Sequence, residues 1–184
     1  MNTGAISMRY ARALLMFANE AGVAADVYRE ALILSGNFRQ VPELKAVLEK
    51  PMMSYENKLR ILVQAAGGKV TKQLNKFFEL VLNEKREKYL MGINQAFIDL
   101  YRKQEKIRVG KLTTAVPIAP EEVERIRQIV VNHAGGTAEF TTKVDPSIEG
   151  GFIFEINTYR LNASIADQMR RIKQQFIEKN RRIV

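Results

Sequence analysis

The chain has no cysteine, one histidine and five prolines, and none of its apolar runs approaches the ~20 residues needed to cross a bilayer as a helix. Without cysteine there is no disulfide, no thiolate nucleophile and no cysteine metal site. Such a composition suits a reducing compartment. The opening residues, MNTGAISMRY, lack the basic-then-apolar order of a secretory signal, so none is expected. Any membrane association is then expected to run through a partner or through surface charge.

Catalytic patterns are missing as well. His133, beside Gly135 at an expected helix end, is placed to satisfy terminal carbonyls as a cation. No Ser-His-acid or Cys-His pattern surrounds it. Asp145 and Glu149 stand four apart in a turn, where a capping Asp and an exposed Glu explain them better than an acid–base pair. Gly135-Gly136 and Gly150-Gly151 lack the spacing of a phosphate-binding loop, and no metal-ligand spacing occurs. The expectation is a protein with no catalytic residue, no cofactor and no metal.

What is present is a chain of 184 residues, long enough for one domain or two small ones, with an ordinary 46% of hydrophobic residues. The net charge is +9. Residues 1–105 carry 16 Lys+Arg against 11 Asp+Glu, and residues 106–184 carry 13 against 9, so the basic excess is spread over both halves. A nucleic-acid module more often concentrates its charge.

Helical spacing runs from the start to about Glu105. A first helix over about 6–20 carries two apolar stripes on a 100° wheel: Ile6, Tyr10, Ala13, Leu14 and Phe17, and, opposite, Met8, Ala11, Leu15 and Ala18. A helix at the surface of a globule needs one stripe, so the second implies burial on both sides or a face offered to a partner. A second helix is expected over 24–40, with Val27, Ala31, Leu34 and Phe38 inward. Pro42 opens a short third at its first position. Ser54 caps a fourth that ends at Gly67-Gly68. A fifth over about 71–83 places Leu74, Phe77, Phe78 and Val81 in a core stripe, with Leu82 flanking it and Leu80 outside. A sixth runs from about Lys88 to Gln104. Short loops favour an antiparallel bundle.

Near Lys106 the period changes from 3.6 to 2. Residues 107–116 read as a strand closed by Pro117 and Pro120, and Glu121-Glu122 open a helix with acids in its first turn. Val123, Ile126, Ile129 and Val130 line that helix, and residues 138–144 read as another strand. Asp145-Pro146-Ser147 is turn chemistry, and Gly150-Gly151 permits a positive φ or a close backbone approach. Phe152, Phe154 and Ile156 then alternate as a strand, Asn157-Thr158 turns, residues 159–163 return, and a last helix starts at Ser164. On that helix Ile165, Met169, Ile172 and Phe176 form an apolar stripe, part of which is expected to cover the sheet. The fold expected is α+β: an N-terminal six-helix bundle over 1–105, followed by a small α+β domain over 106–184.

Two functional readings follow. A basic nucleic-acid-binding protein is the alternative, with cations at Arg170, Arg171, Lys173, Lys179, Arg181 and Arg182. It lacks an RNP-like motif, and Phe152 and Phe154 are better read as core than as a stacking surface. The other reading rests on resemblance. The run DPSIEGGFIFEINTYRLNASIADQMRRIK (145–173) resembles the C-terminal signature of the delta subunit of F-type ATP synthases, whose mitochondrial counterpart is the oligomycin-sensitivity-conferring protein. RYARALLMFA (9–18) and FFELVLNEKREKYL (77–90) extend that resemblance to the N-terminus and the centre. One departure stands out: the family often has glycine before arginine after the fifth helix, and here Lys85 precedes Arg86, which implies a more helical turn and a blurred break between helices five and six.

The resemblance implies a non-catalytic stator subunit; the lack of a transit peptide favours the cytoplasmic face of a bacterial plasma membrane, unless the chain is a mature organellar one. Its helical domain would bind N-terminal helices of the alpha subunits through Tyr10, Ala13, Leu14, Phe17, Phe77 and Leu80. Of these, Leu14 is expected at the margin, with the Ala11-Leu15-Ala18 stripe facing inward. Its C-terminal domain would bind the b subunits of the peripheral stalk through Arg170, Arg171, Lys173, Phe176 and Lys179. Asp145, Pro146, Gly150 and Gly151 would be structural turn residues. The membrane would be reached only through partners, and nucleic acid would not be bound.

Overall fold

Apolar residues at helical spacing build the first part of the chain. In the computed structural model, which describes residues 3–125, 128, 137–156 and 159–181, six helices precede Glu105. They are α1 (Thr3–Glu20), α2 (Ala24–Gln40), α3 (Glu43–Leu48), α4 (Tyr55–Ala65), α5 (Lys72–Asn83) and α6 (Leu90–Gln104). A 3-10 turn, Glu87–Tyr89, leads into α6. By contacts the chain divides into two compact units, Met1–Gln104 and Glu105–Val184.

In the first unit α6 is the axis, with α1 and α2 packed on it and α5 joined to α1 and α4. Phe97 and Phe78 are completely enclosed, together with Leu34, Leu62, Leu74 and Ile93. Full burial of each such side chain contributes about 1.5–3 kcal/mol. Helix starts are satisfied locally: Ser54 Oγ accepts from the Asn57 N–H at 3.4 Å, and Thr71 Oγ1 from the Leu74 N–H at 3.3 Å. Thr71 in turn donates its N–H and hydroxyl to the Glu30 carboxylate at 2.7 and 2.9 Å. Burial holds that carboxyl above its usual range, and the two Thr71 bonds oppose the shift. Pro42 sits one residue outside α3, as its cap. Lys58 and Glu87, both nearly buried, pair at 2.7 Å and tie α4 to the turn before α6.

The turn after α5 differs from expectation. It is a sharp break, because Lys85 adopts φ 53°. From there its N–H reaches Leu82 O at 3.0 Å and the Arg86 N–H reaches Val81 O at 2.9 Å. These bonds satisfy the last carbonyls of α5, which is what a left-handed residue after a helix does. A lysine therefore makes the conformation that glycine would adopt without strain.

The second unit is a four-stranded sheet in the order β2-β1-β3-β4. Its strands are β1 (Ile107–Thr114), β2 (Thr137–Val144), β3 (Phe152–Ile156) and β4 (Tyr159–Asn162). β1 pairs parallel with β2 and antiparallel with β3, and β3 pairs antiparallel with β4. A parallel pair needs a long crossover; the 115–136 connection contains helical residues 120–125. The expected inward residues Ile126, Ile129 and Val130, together with His133, Gly135 and Gly136, lie outside the described residues, as does the turn Asn157-Thr158. Leu112 is fully buried, whereas Phe152 and Phe154 are only half-buried. The Phe154 ring meets Phe140 edge-on at 5.3 Å over Gly110, where a Cβ would collide with Phe140. The last helix, α7, is Ile165–Arg181. Ser164 caps it, its Oγ accepting from the Asp167 N–H at 3.3 Å.

Candidate partner-binding surfaces

On α1 the inward line is Ser7, Ala11, Leu14 and Ala18, which lies between the two stripes read from the wheel. Leu14 is therefore core, not the margin of an exposed stripe, and Leu15 is only half-buried. The reason is packing: α1 rests chiefly on α6, and this rotates its buried line towards Leu14. Phe77, expected opposite the docking stripe, is buried too. It forms a floor, its ring edge-on to Tyr10 at 6.3 Å. Ala13 and Phe17, one and two turns along from Tyr10, are exposed, and so is Leu80, one turn along from Phe77. The face shared by α1 and α5 is thus apolar, aromatic at its base and open at its sides.

At one end this face becomes basic. A depression of about 460 Å³ is lined by Ile6 and Arg9 from α1 and by Glu84, Lys85, Arg86, Lys88 and Tyr89 after α5. The Arg86 guanidinium lies over the Tyr10 ring at 5.4 Å, a cation–π contact that joins the basic end to the aromatic floor. The sequence reading missed this cluster. The run EKREK after α5 was its signal, read there only as a turn.

In the second unit the exposed stripe is on α7. Ile165, Met169 and Ile172 are about half exposed, so this part of the stripe is only partly covered. Near its start α7 packs against the 3-10 turn Pro146–Ile148. An apolar period identifies the face of a helix but not what covers it. Arg170 and Arg171 pair with Asp167 at 3.8 and 2.9 Å, while Lys173 is exposed. The side chains of Phe176 and Lys179 lie outside the described residues.

The turn that carries α7 is tightly built. Asp145 Oδ1 accepts from the Ser147 N–H at 3.1 Å and from its hydroxyl at 2.6 Å. These bonds hold the Asp145 carboxyl below the usual range. Pro146 opens the 3-10 turn and Ile148 is buried beneath it. Gly151 has φ 73°, and a Cβ there would stand 2.2 Å from Ala163 O. Gly150 O accepts from the Ile165 N–H at 3.0 Å. The glycine pair thus seats the first turn of α7 directly on the backbone.

Among the described residues no group of three His, Cys, Asp or Glu could hold a metal ion, and no helix is long and apolar enough to cross a membrane. A family model described as ATP synthase delta (OSCP) subunit matches residues 6–176. The chain belongs to the ATP synthase delta (OSCP) subunit family. The subunit delta of Phocaeicola vulgatus is similar at 56% identity over 185 residues, covering 100% of both chains. That of Bacteroides thetaiotaomicron is 48% identical over 186 residues, again with 100% of each covered. That of Prochlorococcus marinus is 32% identical over 91% of this chain and 93% of its own. The fold resembles that of a chain in the Toxoplasma gondii mitochondrial ATP synthase hexamer, with a TM-score of 0.62 over 93% of this chain and 97% of that one. At 22% identity that likeness speaks for the fold alone. A delta subunit is a non-catalytic stator part of the F-type ATP synthase. The family displaces the nucleic-acid alternative.

Proposed function

We propose that the helical unit, residues 1–105, binds the N-terminal helices of the alpha subunits on the catalytic head. On this reading residues 106–184 bind the b subunits of the peripheral stalk. The subunit would then hold the head against rotation, so that proton translocation stays coupled to ATP synthesis, at the cytoplasmic face of a bacterial plasma membrane. The observation that carries the head-binding half is the open apolar face of Ala13, Phe17 and Leu80 over the Tyr10–Phe77 floor. It has the form of a groove for the apolar side of an amphipathic helix. Leu14 is buried in the core and is not part of this open face. For the stalk-binding half, the support is the exposed Ile165-Met169-Ile172 stripe beside Arg170, Arg171 and Lys173.

Ala13→Asp should abolish binding of a peptide from the alpha N-terminus and leave the thermal midpoint nearly unchanged. Leu14→Asp should unfold the helical unit, because a buried unpaired carboxylate costs several kcal/mol. If Ala13→Asp binds the peptide as well as the parent chain does, the groove is elsewhere. For the other unit, Met169→Asp together with Ile172→Asp should lose capture of the b subunits while peptide binding persists. Retained capture would move the stalk contact off α7.

A further inference from the structure

The open groove ends in a depression where four cations meet one carboxylate. Among the described residues, Arg9, Lys85, Arg86 and Lys88 make no ion pair, although Glu84 lines the same depression. Two of the four are held in place by rings, Arg86 over Tyr10 and Lys88 over Tyr89, the latter at 5.1 Å. A third, Lys85, occupies a left-handed backbone position that favours glycine. Strain of this kind persists where the surroundings impose it, and a charged side chain there is displayed on a fixed turn rather than on a mobile loop. The Phe77–Tyr10–Arg86 line makes the apolar floor and the basic depression one continuous surface.

We propose that this basic depression receives the acidic end of the helix that docks in the α1/α5 groove, and so sets which way round that helix lies. The inference rests on the groove reading above and adds the partner's charge and polarity to it. An apolar groove alone accepts an amphipathic helix in either direction. A cluster of like charges at one end breaks that symmetry. It attracts side-chain carboxylates, or the partial negative charge of a helix C-terminus, and repels the opposite end. The occupant is therefore an amphipathic segment with carboxylates on the end that meets Arg9 and Lys85.

The test uses the full chain and a synthetic peptide of the alpha-subunit N-terminal segment. Lys85→Glu with Lys88→Glu should weaken peptide binding about tenfold at low salt and flatten its salt dependence, with the thermal midpoint retained. A peptide with its terminal carboxylates changed to amides should lose the same factor and become indifferent to the double substitution. Leu80→Asp serves as the groove control. If Leu80→Asp abolishes binding while the charge reversal changes neither affinity nor salt slope, the acidic-end proposal fails and the groove stands. If neither variant weakens binding, the groove reading fails and the proposal with it. If the charge reversal instead removes binding to vesicles rich in phosphatidylglycerol and leaves the peptide affinity intact, the cluster serves anionic lipid and the proposal is overturned.

Discussion

The two units of this chain keep their apolar residues in different ways. Among the described residues, Leu112 is the only large side chain of the second unit that is fully enclosed, whereas every helix of the first contributes a buried Phe, Ile or Leu. The second unit leaves Val109, Val144, Leu161 and the α7 stripe about half exposed. A unit that closes its own core can be stable alone, even though the first also exposes Ile33, Val41, Met52 and Met91. A unit that leaves a helix stripe uncovered relies on a partner to bury it. On the function proposed above, the first kind would give a rigid seat and the second an interface completed on assembly.

The strongest way to break this comparison is to separate the units. A fragment of residues 1–104 should fold with a cooperative thermal transition. A fragment of residues 105–184 should melt well below it or without cooperativity, since a chain of only ~80 residues buries a smaller share of its surface. Circular dichroism on both fragments measures this. Equal midpoints would mean that the exposed stripe of α7 carries no stability deficit, and the contrast would be wrong.

Next in size is Gly151→Ala. The new Cβ would meet the Ala163 carbonyl at 2.2 Å, and φ 73° is unfavourable for any L side chain. Strain and clash together should cost roughly 2–5 kcal/mol. The loss should be confined to the second unit: backbone amide exchange should quicken in β3 and at the start of α7 while α5 and α6 stay protected. Loss of protection in α6 would show that the units unfold as one.

How much of this was legible depends on which physical rule each feature obeys. The α2 core of Val27, Ala31, Leu34 and Phe38 follows from period alone and was read correctly. So did the Ser54 cap, whose acceptor is local. The Leu14–Leu15 assignment failed because one residue is a 100° rotation, and the direction of α1 is decided by its contact with α6, which no wheel contains. The order of the strands depends on pairing between distant segments and had no local signal. The basic depression was missed because Arg9 and Lys85 are far apart in sequence. The break after α5 was misjudged for another reason: lysine has no preference for the left-handed region, so only the hydrogen-bonding needs of the last carbonyls of α5 could have indicated it.

That last point yields the smallest and sharpest test. Lys85 stays at φ 53° because two bonds, to Leu82 O and Val81 O, need the chain to reverse there. Lys85→Gly keeps both bonds and removes the Cβ strain, which should stabilise the helical unit by about 1 kcal/mol. Glycine's greater freedom in the unfolded chain offsets part of that gain. For a unit of this size the thermal midpoint should rise by about 4–8 °C per kcal/mol. The same substitution removes one cation from the basic depression, so affinity for the alpha-subunit peptide should fall modestly while stability rises. Opposite signs in the two measurements would mean that the lysine is kept for its charge at the expense of its backbone. A Lys85→Gly chain that is less stable than its parent would show that the Lys85 side chain holds the turn by its own contacts, and that φ 53° carries no strain to release.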